Sequence, residues 1–187
     1  FEKSLLEDQV WQDAKDSGCK YLHFGYESGN ERVLKLMDKA TTTDIMTQHL
    51  KYTAEAGIWN HCMGFFGFPG ETREEAWSSV EFLEQNKDYV HSLGFGTFDL
   101  GRHNPVAKHP EKFGVTAYKN PEWDLALDYY FTVKQGLSIE EAERVFEEFE
   151  RNHNPGWDLR LFIREYIFLY IARFGLQKLP DLQYRSA

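Results

Sequence analysis

Phe24-Gly25-Tyr26-Glu27-Ser28-Gly29-Asn30 and, further along, Phe66-Gly67-Phe68-Pro69-Gly70-Glu71-Thr72 are the stretches that decide how this chain folds. In each, a short aromatic and apolar run stops at a polar turn containing glycine. Tyr21, Leu22, Phe24 and Tyr26 read as a buried strand. Ile58 to Phe66 repeats the pattern, and Leu93 to Leu100 gives it a third time, softened by Gly94 and Gly96.

Between these runs lie segments of helical spacing. Leu5, Leu6, Val10, Trp11 and Ala14 mark a helix within Phe1 to Ser17, with Gly18 as its stop. Val33, Leu34, Leu36 and Met37 mark a short helix, and Thr41-Thr42-Thr43-Asp44 offers caps for a longer one ending at Gly57. Thr72 to about Asn86 presents Ala76, Val80 and Leu83 on one face. Strand, loop and helix in succession, with helix-length crossovers, point to a parallel sheet. The loops at Glu27 to Asn30, Gly67 to Thr72 and Leu100 to Pro110 all follow strands. They therefore gather at the carboxyl ends, where α/β folds place their chemistry.

Beyond Pro105 the character changes. Arg102 to Pro121 reads as loop, followed by helices over Glu122 to Gln135, Ser138 to Asn152 and Trp157 to Phe174. Ser138 and Glu141 form a capping box, and Asn154-Pro155-Gly156 is a break. The division expected is a partial barrel over residues 1–115 and a helical appendage over 116–187. Three parallel strands leave sheet edges and a face to be covered. With a start at Phe1 inside a helical pattern, this gives the expectation of an α/β chain that is the C-terminal part of a partial (β/α) barrel.

Of the 187 residues, 42% are hydrophobic and 27% charged, which excludes general disorder. The longest apolar stretches, such as Tyr166 to Ala172, fall short of the ~18–20 residues of a membrane helix. A net charge of −9 argues against nucleic-acid binding through a broad basic face, while leaving room for an anionic group in a local pocket. Two cysteines, Cys19 and Cys62, are too few for a disulfide framework or a zinc cage. No secretory signal is evident, so the expected location is cytoplasmic.

Glu27 stands where a buried strand opens to solvent, and Lys39 can return to the same mouth. A carboxylate and an ammonium there suit the two charged ends of a bound amino acid; a surface ion pair is the plainer use. Gly67 to Thr72 makes a tight turn into a helix that Glu71 or Thr72 can cap, and its amides suit a polar or anionic group. His61 and Cys62 are neighbours in a strand, so their side chains point to opposite faces and do not share a metal.

Taken together and in order, the Phe24 to Gly29 strand end, the Val33 to Thr41 segment with Met37 and Lys39, Gly57-Ile58 and the Phe66 to Thr72 turn resemble the second half of a radical S-adenosylmethionine (SAM) enzyme. The nearest flavour is the group of cobalamin-binding-type enzymes and methylthiotransferases. The resemblance covers about Gly18 to Asn86 well and the loop to Gly114 loosely. It implies a barrel of six strands, of which these three would be the fourth, fifth and sixth. It implies SAM-contacting roles for Glu27 and Ser28 at the first strand end, and for Lys39 at the methionine carboxylate. Phe65 would pack on adenine, with Gly67 and Pro69 shaping the turn beside it. Met63 stands where some relatives carry an acid, so no ribose contact is carried over to it.

The family's CxxxCxxC motif, which holds a four-iron four-sulfur cluster, is not in this sequence, and neither is the cobalamin signature Asp-x-His-x-x-Gly. The resemblance therefore implies a fragment of a radical SAM enzyme, inactive alone and partnered by the missing N-terminal half. SAM, the cluster and possible cobalamin would belong to the full-length protein, acting on an unidentified small molecule or peptide. A different class of reading is a non-catalytic α/β binding module, with self-association as a homodimer covering its apolar face. A third is an unrelated lyase using Glu27 and Lys39, ranked last because Lys39 follows a helix rather than standing on a strand.

Overall fold

The computed structural model describes residues 5–6, 8–119, 126–153 and 173–174. Three strands, β1 (Tyr21–Glu27), β2 (Trp59–Phe66) and β3 (Ser92–Thr97), form a parallel sheet in the order β1-β2-β3. Helix α1 (Asp8–Asp16) precedes it. Helices α2 (Glu31–Leu36) and α3 (Thr43–Glu55) make the first crossover, and α4 (Arg73–Gln85) makes the second. The chain is therefore an α/β fold with a partial parallel sheet flanked by helices, as the three repeated strand ends require.

Local signals explain the helix starts. Asn30 accepts from the amides of Arg32 and Val33 to open α2, and Thr42 accepts from Ile45 to open α3. Thr72 and Glu75 form a reciprocal capping box at the start of α4. Each cap satisfies amide groups that the first helical turn leaves without partners.

The strands alternate in burial because successive side chains leave the pleat on opposite sides. Phe24, Tyr26, Cys62, Phe66, Leu93 and Phe95 point to the helix-covered side and join one core with Leu50, Val80 and Leu83. Cys62 thus lies in this core, and the neighbouring His61 belongs to the other side, as expected for sequence neighbours in a strand. Tyr26 is fully buried, and its hydroxyl donates to the Ser79 carbonyl at 2.7 Å.

The region after β3 departs from expectation. Of the loop expected over Arg102 to Pro121, residues 120–121 lie outside the described residues, and 102–119 are not plain loop: they hold a short helix, α5 (Pro105–Lys108), a 3-10 turn at Pro110–Phe113 and a strand, β5 (Val115–Lys119). The helix expected over Glu122 to Gln135 is also corrected, since Asp128–Val133 is a strand, β6. It pairs antiparallel with β5 and with β4 (Leu100–Gly101), giving a second sheet in the order β4-β6-β5. The cause is composition: Tyr129-Tyr130-Phe131-Thr132-Val133 is aromatic and β-branched, and Phe131 is buried while its neighbours are more open. Phe131, Phe98, Phe68 and Leu100 build a second core at the carboxyl ends of the parallel strands.

The helix expected from Ser138 forms as α6 (Ile139–His153). The Ser138 amide donates to Glu141 at 2.8 Å, and the Glu141 amide donates to the Ser138 hydroxyl at 3.2 Å. It lies over β2 and β3, with the Phe149 ring 5.8 Å from Phe66 and 5.5 Å from Phe95. Of the helix expected over Trp157 to Phe174, residues 157–172 lie outside the described residues.

Candidate cofactor-binding face

The side of the parallel sheet turned away from α3, α4 and α6 carries the odd-numbered residues of β1 and β2. Strand register places them in rungs. His23, His61 and Ser92 form one, Gly25, Met63 and Gly94 the next, and Phe65 lies beside Gly96 nearest the carboxyl end. His23 and Gly25 are exposed, and Met63, Phe65, Gly94 and Gly96 are half-buried. The Gly-Met-Gly rung makes a shallow trough across three strands, bordered by polar rings on one side and the strand-end turns on the other.

Strand β1 ends irregularly. Its register with β2 shifts between Gly25 and Glu27, and Glu27 takes a φ of 64°, a left-handed conformation uncommon outside glycine. The result turns the Glu27 carboxylate back over Gly25, where an added Cβ would stand 2.8 Å from Glu27 Oε1. A glycine at 25 therefore makes room for the carboxylate. After α2 the chain reverses through Asp38, with φ 57°, and returns Lys39 to the same mouth. Lys39 Nζ donates to Glu27 Oε1 at 3.0 Å, with side chains 42% and 21% exposed respectively.

The other residues expected at the site occupy distinct positions. Phe65 lies on the open side, its ring 5.5 Å from Phe98. Gly67, with φ 87°, and Pro69 are buried within the turn after β2. Ser28 is also fully buried, within 3.1 Å of Ser79 Oγ and accepting from the Asn30 amide; it braces the turn after Glu27 rather than facing the trough. The structure thus brings Glu27 and Lys39 together, sets Phe65 on the neighbouring strand and buries Ser28, Gly67 and Pro69 in the turns.

Three features escaped the sequence reading. Arg32 grips both carboxylate oxygens of Glu75 and donates to the Gly70 carbonyl at 2.6 Å, tying α2 to the turn after β2. Its partner Glu75 lies 43 residues away, so no local pattern signals the pair. Burial holds the Glu71 carboxyl far from water and pushes it up to about 7, a rise that the Gly67 and Phe68 amides offset in part. On the open side, the His23 and His61 rings lie 5.0 Å apart. Ser92 Oγ lies 2.8 Å from His61 Nδ1 and accepts from Trp59 Nε1 at 2.9 Å. Burial, then the neighbouring His23, lowers His61 to about 4, so it is neutral near pH 7. The period-2 spacing of His23 and the strand register were the signals for this pair.

No group of three or more His, Cys, Asp or Glu side chains is arranged to hold a metal ion among the described residues. Cys62 is buried in the main core, and Cys19 packs in a separate cluster with Trp11 and Ile58. These thiols do not fit an iron–sulfur cluster, and no step through one is assigned to this chain. Among the described residues no helix is long and apolar enough to cross a membrane.

Comparison with known proteins bears on the fold. Residues 3–83 match the Radical SAM superfamily. The uncharacterized methyltransferase PH0819 of Pyrococcus horikoshii is 32% identical over 84 residues, covering 44% of this chain and 18% of that protein. Coproporphyrinogen III oxidase (HemN) of Escherichia coli, a radical SAM enzyme, shares the fold with a TM-score of 0.59 at 14% identity. That match covers 80% of this chain and 30% of HemN. The radical SAM methyltransferase TsrM of Kitasatospora setae, solved with tryptophan and a SAM analogue and also with cobalamin and a [4Fe-4S] cluster, aligns with a TM-score of 0.51 at 20% identity. It covers 75% of this chain and 28% of TsrM in the first of those structures. The chain thus spans less than a third of the length of each of these proteins. Over residues 3–83 the chain is thus similar to the Radical SAM superfamily, and its three parallel strands with their helical crossovers share the fold of these enzymes.

Proposed function

We propose that this chain contributes the SAM-holding strand ends of a radical SAM enzyme, whose iron–sulfur cluster is carried by sequence outside it. The observation that carries this reading is the Glu27–Lys39 pair at 3.0 Å over the open face. A half-exposed ion pair contributes only about 0–1 kcal/mol, so a ligand with complementary charges separates it at small cost. The methionine end of SAM is such a ligand. Its ammonium faces Glu27 and its carboxylate faces Lys39, exchanging one pairing for two. Phe65 offers an aromatic surface for adenine at the neighbouring strand end, and Gly67 and Pro69 shape the turn beside it. Ser28 acts from behind by holding the Glu27 turn to Ser79.

SAM bound beside a reduced cluster is the source of the deoxyadenosyl radical in enzymes of this superfamily. The chain's own residues would bind and orient it. Cobalamin in the complete enzyme is a further proposal, supported by the cofactors of TsrM. The substrate and the group transferred are left open.

The test is made in the native polypeptide, first sized by intact mass and sequenced for CxxxCxxC, then loaded with iron and sulfide. Glu27→Gln and Lys39→Ala are each expected to weaken SAM binding about 10–100-fold, the loss typical of a hydrogen bond to a charged group. Unchanged SAM affinity in both variants would overturn the assignment of this mouth. A native polypeptide lacking the cysteine motif would overturn the radical SAM activity.

A further inference from the structure

Glu71 is fully buried in the turn between β2 and α4. Its Oε2 accepts from the Gly67 amide at 2.6 Å, closing the turn upon itself, and its Oε1 is buried without a hydrogen-bond partner. An ionised carboxylate in that position would hold a charge with one oxygen unsatisfied, a costly arrangement. A neutral acid satisfies the Gly67 amide equally well through its carbonyl oxygen and removes the charge.

The same turn is clasped from the far end of the chain. The Leu137 amide donates to the Glu71 carbonyl at 2.8 Å. Gly136 approaches so closely that an added Cβ would stand 2.6 Å from the Glu71 carbonyl oxygen and 2.7 Å from the Gly70 carbonyl carbon. Ala142 of α6 fills the space beside Gly67, where an added Cβ would come within 2.5 Å of the Ala142 methyl. The turn and the start of α6 therefore share one tightly packed seam, and the Glu71 side chain is tied to it through the Gly67 amide.

We propose that Glu71 is a proton-linked positioning residue: protonated, it locks the Gly67–Gly70 turn to the start of α6, and loss of its proton to solvent loosens both together. The charged groups that act on it come from two neighbouring helices. Glu75 of α4 opposes its ionisation and Arg32 of α2 favours it, while the buried Tyr26 phenol of β1 also faces it. The loop and helix on the α6 side present Gly136, Leu137 and Ala142, none of them ionisable. Burial outweighs Arg32 and raises the carboxyl to about 7, so the change falls in the neutral range. This inference goes beyond the SAM assignment. It concerns the turn itself, and either can fail without the other.

The test uses the full chain and the isosteric variant Glu71→Gln, whose amide oxygen can still accept from Gly67. Hydrogen exchange at the Gly67 and Leu137 amides is followed from pH 5.5 to 8.5, corrected for the intrinsic pH dependence of exchange. With the folded carboxyl near 7 and an unfolded value near 4.5, opening in the wild type is expected to become about 30-fold more favourable across this range. Both amides should shift together, and Glu71→Gln should remove the slope, opening about 10-fold less readily than the wild type already at pH 5.5, where the opened carboxyl is ionised. Equal slopes in the two proteins would overturn the proton linkage, and so would a Gln variant destabilised equally at every pH. A Gly67 response without a Leu137 response would overturn the coupling to α6.

Discussion

The two sides of the parallel sheet are built from alternate residues of the same strands, yet they follow opposite rules. On the covered side, Phe24, Tyr26, Cys62, Phe66, Leu93 and Phe95 interlock with three helices. On the other side, Gly25, Met63, Gly94 and Gly96 leave a low trough, bordered by the His23–His61 rings and the Glu27–Lys39 pair. The first side fills space to make a fold; the second withholds side chains and keeps charged groups near solvent. A period of two along a strand lets one segment serve both ends without compromise.

The sharpest break of this contrast is a pair of truncations in β2. Phe66→Ala is expected to destabilise the chain by about 3–5 kcal/mol, because the aromatic ring is fully buried against Phe95 and Phe149. Met63→Ala, three residues earlier on the open side and half-buried, should cost about 1 kcal/mol or less. Urea unfolding of both variants measures the difference, and comparable losses would show that the open side is as tightly packed as the core.

A glycine pair asks the same question by adding atoms instead of removing them. At Gly64 an added Cβ would stand 2.6 Å from the Phe95 ring and 3.1 Å from Tyr26, whereas at Gly96 it would meet nothing within 4 Å. Gly64→Ala should therefore cost about 1–3 kcal/mol by overpacking, and Gly96→Ala about 0.5 kcal/mol or less. Thermal melts of the two proteins provide the comparison; a destabilised Gly96→Ala would reveal an occluded surface where the structure leaves space.

The smallest effect expected is a pH dependence from the open side. His61 has its folded pKa depressed from 6.5 to about 4, so its contribution is complete above about pH 6.5. The histidine contribution to stability should decline as pH falls from 6.5 toward 4, since the unfolded chain takes up the proton first, while the raised Glu71 carboxyl works in the opposite direction between pH 7 and 4.5. His61→Gln should flatten part of that decline, leaving the part from His23, which burial also shifts downward. Urea midpoints at pH 7 and pH 5 for wild type and variant test this. An unchanged slope would place the acid sensitivity elsewhere.

Much of the site was legible because it depends on short-range signals. The strand runs at Tyr21, Ile58 and Leu93, and the caps at Thr72 and Ser138, required no knowledge of distant residues. The meeting of Glu27 with Lys39 also follows from one short helix and a chain reversal between them. The second sheet was less legible: Glu122 to Gln135 carries a helix-compatible mixture of residues. Pairing with Val115–Lys119 then offers its aromatic and β-branched half a ladder and a core against Phe98. The environment of Ser28 was hidden for a similar reason, because Ser79 reaches it only when α4 is laid on the sheet.

By itself the sequence determined three strands joined by two helical crossovers, the ends at which polar residues collect and an order of motifs that resembles the radical SAM superfamily, since periodicity, capping and turn chemistry act over a few residues. Tertiary structure alone decided which side of the sheet stays open, that residues 128–133 extend rather than coil and that Glu71 loses its water. The reason is that burial belongs to no single segment: it arises when Gly136, Ala142 and Phe149, far along the chain, close against β2 and its turn.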